Sequence, residues 1–101
     1  MAAVQSKKTI IFILPDLDTG GAERIVATIA NHLPRNLFSV KILLLRKEGG
    51  YLDILKDDVE IIDIKTPRIR HSLKPILREI KKRKPDIVFC GLGEINAYLS
   101  L

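Results

Sequence analysis

The chain has 101 residues, of which 47% are hydrophobic and 29% charged, with a net charge of +5. That is the composition of one globular domain or part of one, not of a disordered or fibrous chain, and no apolar run approaches the roughly 20 residues needed to span a bilayer. One cysteine, Cys90, rules out a disulfide framework and offers no metal-ligand spacing, and Met1 to Lys8 lacks the apolar core of a signal peptide; the expectation is a cytoplasmic chain.

Thr9 to Leu14 is an unbroken apolar run rich in β-branched residues, which predicts a strand covered on both faces, as in a parallel sheet. Pro15, Asp16, Leu17, Asp18, Thr19, Gly20 and Gly21 follow as a polar turn containing residues able to adopt positive φ. From Ala22, the positions Ala22, Ile25, Val26, Ile29, Ala30 and Leu33 recur at spacings of three and four, predicting a helix with these six on one face. Strand, glycine turn and helix place free backbone N–H groups and the positive end of a helix dipole at the strand's carboxyl end, where open α/β sheets bind ligands. A phosphate or sugar could approach Gly20 and Gly21 closely. The same glycines also make a tight turn with no ligand, and neither a G-x-G-x-x-G nor a Walker A sequence is present.

Ser39 to Arg46 predicts a second buried strand, Tyr51 to Leu55 one or two helical turns, and Val59 to Ile64 a strand nearer the sheet edge. Ser72 suits an N-cap, Pro75 falls in the first turn, and Leu73, Ile76, Leu77 and Ile80 form a helical stripe ended by Pro85. Asp86 to Cys90 is the fourth strand, Gly91 to Asn96 a turn, and Ala97 to Leu101 the start of a helix. The fold expected is α/β, a Rossmann-like open parallel sheet of order 3-2-1-4 with helices on both faces. A final helix this short leaves one face of the last strand under-covered, so residues 1–101 read as part of a larger protein.

Charge is concentrated between Lys65 and Lys84, where Arg70, Lys74, Arg78, Lys81 and Lys82 form a basic face suited to anions or acidic lipid head groups. The segment has no aromatic residue to stack bases, which argues against single-stranded nucleic acid. His32, His71 and Cys90 are too scattered to form a metal or nucleophile site, and no metal is expected.

The segment Phe12 to Ile29, F-I-L-P-D-L-D-T-G-G-A-E-R-I-V-A-T-I, resembles the opening of the family 4 retaining glycosyltransferases of the GT-B fold. Gly50-Tyr51-Leu52 with Leu55, Lys84-Pro85-Asp86-Ile87-Val88 and Gly93-Glu94-Ile95-Asn96-Ala97 extend the resemblance over Lys8 to Leu101. It corresponds to the first half of that family's N-terminal, acceptor-side domain, about a quarter of a complete enzyme. The resemblance implies sugar transfer from a nucleotide-diphosphate sugar donor to a glycan or lipid-linked acceptor in a cleft between two Rossmann-like domains. By the same resemblance Gly20 and Gly21, flanked by Asp18 and Thr19, lie near the donor diphosphate, and Glu94 and Asn96 near the acceptor; helix capping is the other reading of Glu94 and Asn96. Peripheral membrane contact through the basic face is implied too. The family's donor-binding domain with its paired glutamates is absent from these residues, so they hold no catalytic group or cofactor of their own, and the fragment alone is expected to be inactive. The competing expectation is a non-catalytic α/β interaction module that binds anionic partners or membrane through the basic helix. A receiver domain is disfavoured because Ile64-Lys65-Thr66 supplies no aspartate after the third strand, and a flavodoxin because Thr19 alone is a poor phosphate loop.

Overall fold

The computed structural model describes residues 7–17, 21–66 and 73–91, with Ala22 through its backbone alone. Four strands, β1 (Lys8–Leu14), β2 (Phe38–Leu44), β3 (Glu60–Asp63) and β4 (Ile87–Cys90), form one parallel sheet in the order β3-β2-β1-β4. Helices α1 (Gly21–His32) and α2 (Leu73–Arg83) connect them, and a short 3-10 helix, Gly50–Ile54, precedes β3. The α/β architecture and strand order are those the sequence predicts.

Alternation along β1 builds two cores. Ile10, Phe12 and Leu14 join Val40, Ile42 and Leu44 of β2 under Val26 and Ala30 of α1. Ile11 and Ile13 turn to the other face and join Leu43, Leu45 and Ile62 around Ile76 of α2. A strand covered by helices on both faces needs apolar residues at successive positions, which is why Thr9 to Leu14 has no polar break.

The helical stripes need correction. On α1, Val26, Ala27 and Ala30 are buried and Leu33 packs against the core, but Ile25 and Ile29 are 61% and 43% exposed; the side chain of Ala22 lies outside the described residues. A helix bridging β1 and β2 is covered only where it lies over them. The six predicted positions span more of its circumference than that contact, and the fully buried Ala27 takes the place that spacing assigned to its larger neighbours. On α2, Ile76 is buried and Ile80 packs against the core, whereas Leu77 is exposed. β4 is exposed on both faces, not one: Ile87, Val88 and Phe89 are 42%, 39% and 49% accessible.

Polar side chains tie the connections down. Asn31 Nδ2 donates to the Ile54 carbonyl at 2.7 Å while its Oδ1 accepts from the Lys56 N–H at 2.9 Å, clamping the end of α1 to the segment before β3. Arg35 binds Asp58 at 2.8 Å and holds its carboxyl below the usual carboxylate range. Along the β3 edge, Glu60 accepts from Lys41 at 2.9 Å and Arg83 at 2.6 Å, and Arg83 also reaches Glu79 at 2.8 Å. The bond from Lys41, then that from Arg83, lowers the Glu60 pKa, and the bonds to Glu79 and then Glu60 raise that of Arg83.

Candidate functional site at the carboxyl ends of β1 and β4

The chain leaves β1 toward β2 on one side of the sheet, while β4 lies on β1's other side, so the strand order reverses between β1 and β4. In open parallel sheets this reversal opens a crevice beyond the carboxyl ends of the two strands, where the flanking loops diverge. Ile13 pairs with Cys90, and the Gly91 N–H donates to the Ile13 carbonyl at 2.8 Å, so the segments following Leu14 and Cys90 leave from neighbouring points. The start of α1 at Gly21 adds the N–H groups of its first turn and the positive end of its dipole to the same sheet end.

The first part of the loop after β1 is fixed by its neighbours. Leu17 is fully buried, its N–H donates to the Glu48 carbonyl at 2.8 Å, and its carbonyl accepts from the Tyr51 N–H at 3.1 Å. Asp16 is ion-paired with Arg46 at 2.9 Å. The Pro15–Leu17 segment is thereby anchored to the loop after β2.

Of the predicted donor-side residues, Gly21 is described and Asp18, Thr19 and Gly20 lie outside the described residues. Gly21 is exposed at the first position of α1, and its φ is not among the positive values, which among the described glycines belong to Gly49 at 119°. The positive-φ expectation therefore does not apply to Gly21, whose backbone continues the helix. A Cβ placed on Gly21 meets nothing within 4 Å among the described residues, so packing against them does not demand glycine there. Beside it, an open groove of about 400 Å³ runs along α1, lined by Gly21, Arg24, Ile25, Thr28 and Ile29. The acceptor-side candidates Glu94 and Asn96 also lie outside the described residues.

Lys74, Arg78, Lys81 and Lys82 are all exposed on α2, and none is ion-paired among the described residues; Arg70 lies outside them. Helix α2 packs on the face opposite α1, and its carboxyl end leads into the start of β4. Lys81 and Lys82 thus sit at the end of the sheet away from the carboxyl ends of β1 and β4. Arg83, from the same basic run, turns inward to Glu79 and Glu60.

Two residues at the β1–β4 pair went unmarked in the sequence reading. Asp86 accepts from the Thr9 N–H through Oδ2 at 2.8 Å and donates its own N–H to the Thr9 carbonyl at 2.8 Å, fixing where β4 meets β1. An aspartate between a helix-ending proline and an apolar strand was the available signal. At Gly91 an added Cβ would lie 2.6 Å from Leu14 Cδ2, so the mouth of the crevice needs glycine for close approach. Among the described residues no group of three or more His, Cys, Asp or Glu could hold a metal ion, and no helix is long and apolar enough to cross a membrane. No protein-family model, curated protein or solved structure matches the chain.

Proposed function

We propose that this chain forms the acceptor-side part of an enzyme that moves a sugar from a nucleotide-diphosphate sugar to a glycan or lipid-linked acceptor. The observation that carries the reading is the adjacency of the β1 and β4 carboxyl ends at the reversal of strand order, with α1 starting there. The resemblance of Phe12 to Ile29 to family 4 glycosyltransferases supplies the chemistry. In this reading the donor diphosphate approaches Gly20 and Gly21, flanked by Asp18 and Thr19, while Glu94 and Asn96 on the other lip contact the acceptor. Dipole and free N–H groups favour an anion by about 0.3–2 kcal/mol, at most a thirtyfold gain in affinity. The chain by itself binds weakly and does not catalyse transfer, because groups around the leaving diphosphate must be held from the opposite side of a cleft. The reading places the protein in the cytoplasm, peripheral to a membrane that the Arg70, Lys74, Arg78, Lys81 and Lys82 face contacts through acidic head groups.

The test is a nitrogen-15 NMR titration of the 101-residue chain with UDP, GDP and inorganic pyrophosphate. Amide shifts centred on Gly21 and Gly91, lost in Gly21→Val while circular dichroism stays unchanged, support it. Saturating ligand that leaves these amides unmoved overturns it. The four exposed cations of α2, which make no ion pair among the described residues, favour a second reading, an interaction module for anionic surfaces; shifts confined to Lys74–Lys82 would select it.

A further inference from the structure

Strands β2 and β3 carry opposite charges on the sheet face that α2 covers. Lys41 alternates with Leu43 and Leu45 on β2, and Glu60 with Ile62 on β3, so both turn toward the α2-side core, where the sheet register sets them opposite each other. Glu60 Oε1 accepts from Lys41 Nζ at 2.9 Å and Oε2 from Arg83 Nη1 at 2.6 Å, while Arg83 Nε donates to Glu79 Oε1 at 2.8 Å. The result is a chain of alternating sign, Lys41–Glu60–Arg83–Glu79, that runs from the sheet onto the last turn of the helix.

One carboxylate therefore holds two cations together. The side chains of Lys41, Arg83 and Glu79 are 17%, 22% and 20% exposed and that of Glu60 45%, so water reaches the carboxylate more readily than the cations it binds. Once its charge is removed, Lys41 and Arg83 face each other as like charges, partly desolvated, on packed elements. Arg83 keeps Glu79, four residues back on its own helix, but that bond does not reach the sheet. Lys81 and Lys82 share the last turn with Arg83 and Lys84 follows it, which adds to the repulsion from Lys41. Ile76 and Ile80 hold the middle of α2 in the core. Beyond the helix, Lys84 has a φ of 47°, a left-handed conformation that L side chains rarely adopt, and the Asp86–Thr9 clip fixes the chain two residues later. The last turn thus lies between an apolar anchor behind it and a strained joint ahead.

We propose that Glu60 is the keystone of an acid-sensitive latch: ionised, it draws the last turn of α2 onto β2 and β3, and once it is protonated the repulsion between Lys41 and Arg83 releases that turn while the sheet stays intact.

The charged groups that face Glu60 are Lys41 from β2 and Arg83 from α2, with Glu79 behind Arg83. Both cations favour the ionised carboxylate, so the latch is closed at neutral pH and opens below the ordinary glutamate value of 4.5. Lys74, Arg78, Lys81 and Lys82 ride on the same helix, so the latch also fixes how that basic face is presented. The proposal rests on the ion chain and is independent of the glycine turn and of sugar transfer.

Amide hydrogen exchange of the 101-residue chain, followed by NMR from about pH 7 to about pH 3.5 and expressed as protection factors, tests it. The amides of Ile80 to Lys84 are expected to keep their protection down to about pH 5 and then to lose about threefold or more relative to the amides of β1 and β2. Glu60→Gln should show that loss already at neutral pH and have no acid step of its own. Adding Lys41→Met to Glu60→Gln should restore most of the protection, because one of the two opposing cations is gone. If Glu60 supplied hydrogen bonds alone, the second substitution would restore nothing. Circular dichroism checks that each variant folds, and the acid series on the unmutated chain stands if a variant does not. Protection in α2 that follows β1 and β2 through the whole pH range overturns the proposal. So does unchanged protection in Glu60→Gln, or a double variant no better protected than Glu60→Gln.

Discussion

Replacing Gly91 by alanine tests the packing at the mouth of the crevice. The added Cβ would stand 2.6 Å from Leu14 Cδ2 and 3.4 Å from the Ile13 carbonyl oxygen. Leu14 is fully buried between β2 and the α1-side core, so its side chain cannot swing clear without disturbing Leu44 and its neighbours. Overpacking of this kind costs about 1–3 kcal/mol. Gly91 is not a positive-φ residue, so alanine also gains about 0.4–1 kcal/mol by restricting the unfolded chain. The net expectation is a loss of about 1–2 kcal/mol, or roughly 5–15 °C in Tm for a domain of this size. Gly50 is the control: a Cβ there meets nothing within 4 Å, so Gly50→Ala is expected to be neutral or slightly stabilising. Urea unfolding followed by far-ultraviolet circular dichroism measures both. In a Leu14→Val background the clash is removed and Gly91→Ala should become neutral, a coupling above ~0.5 kcal/mol. Wild-type stability in Gly91→Ala, or simple additivity with Leu14→Val, would refute the reasoning.

Asn31→Ala removes a donor to Ile54 and an acceptor from Lys56; a loss of about 1–3 kcal/mol is expected in urea melts, with Asn31→Asp, which keeps the acceptor, falling between. Glu60 has a folded pKa below its ordinary value of 4.5, chiefly through the Lys41 hydrogen bond. The unfolded chain then binds more protons between the two values, so this contribution is present above pH ~4.5 and is lost as pH falls through the folded pKa. Acid titration of stability should be shallower in Glu60→Gln, and an unchanged slope would remove Glu60 from the account. The corrected α1 face predicts that Ile25→Lys changes stability by less than ~0.5 kcal/mol, while Val26→Ala costs about 1–3 kcal/mol; thermal melts of the pair decide it, and a large loss at Ile25 would restore the six-residue stripe.

Much of the fold was legible because its signals are local. The β-branched run from Thr9 to Leu14 predicts a doubly covered strand, the period from Ala22 to Leu33 a helix, and Pro85 the end of α2, where Lys84 adopts a φ of 47°. The alternation of strands and helices then leaves few topologies, and the observed order is the one expected. At the candidate site the sequence marked the glycine turn, and Gly21 does begin α1 at the reversal of strand order.

What the sequence by itself determined is where each element lies, which residues are apolar and where charge gathers. Which apolar residues are covered was decided by tertiary structure alone. Ile25 and Ala27 are close neighbours on one helix, yet the smaller is buried and the larger exposed, because coverage depends on the strands beneath and not on hydrophobicity. The Asp86–Thr9 clip and the approach of Gly91 to Leu14 join residues 77 positions apart in both cases. Local periodicity carries no record of such distant partners; they exist only once the sheet has formed.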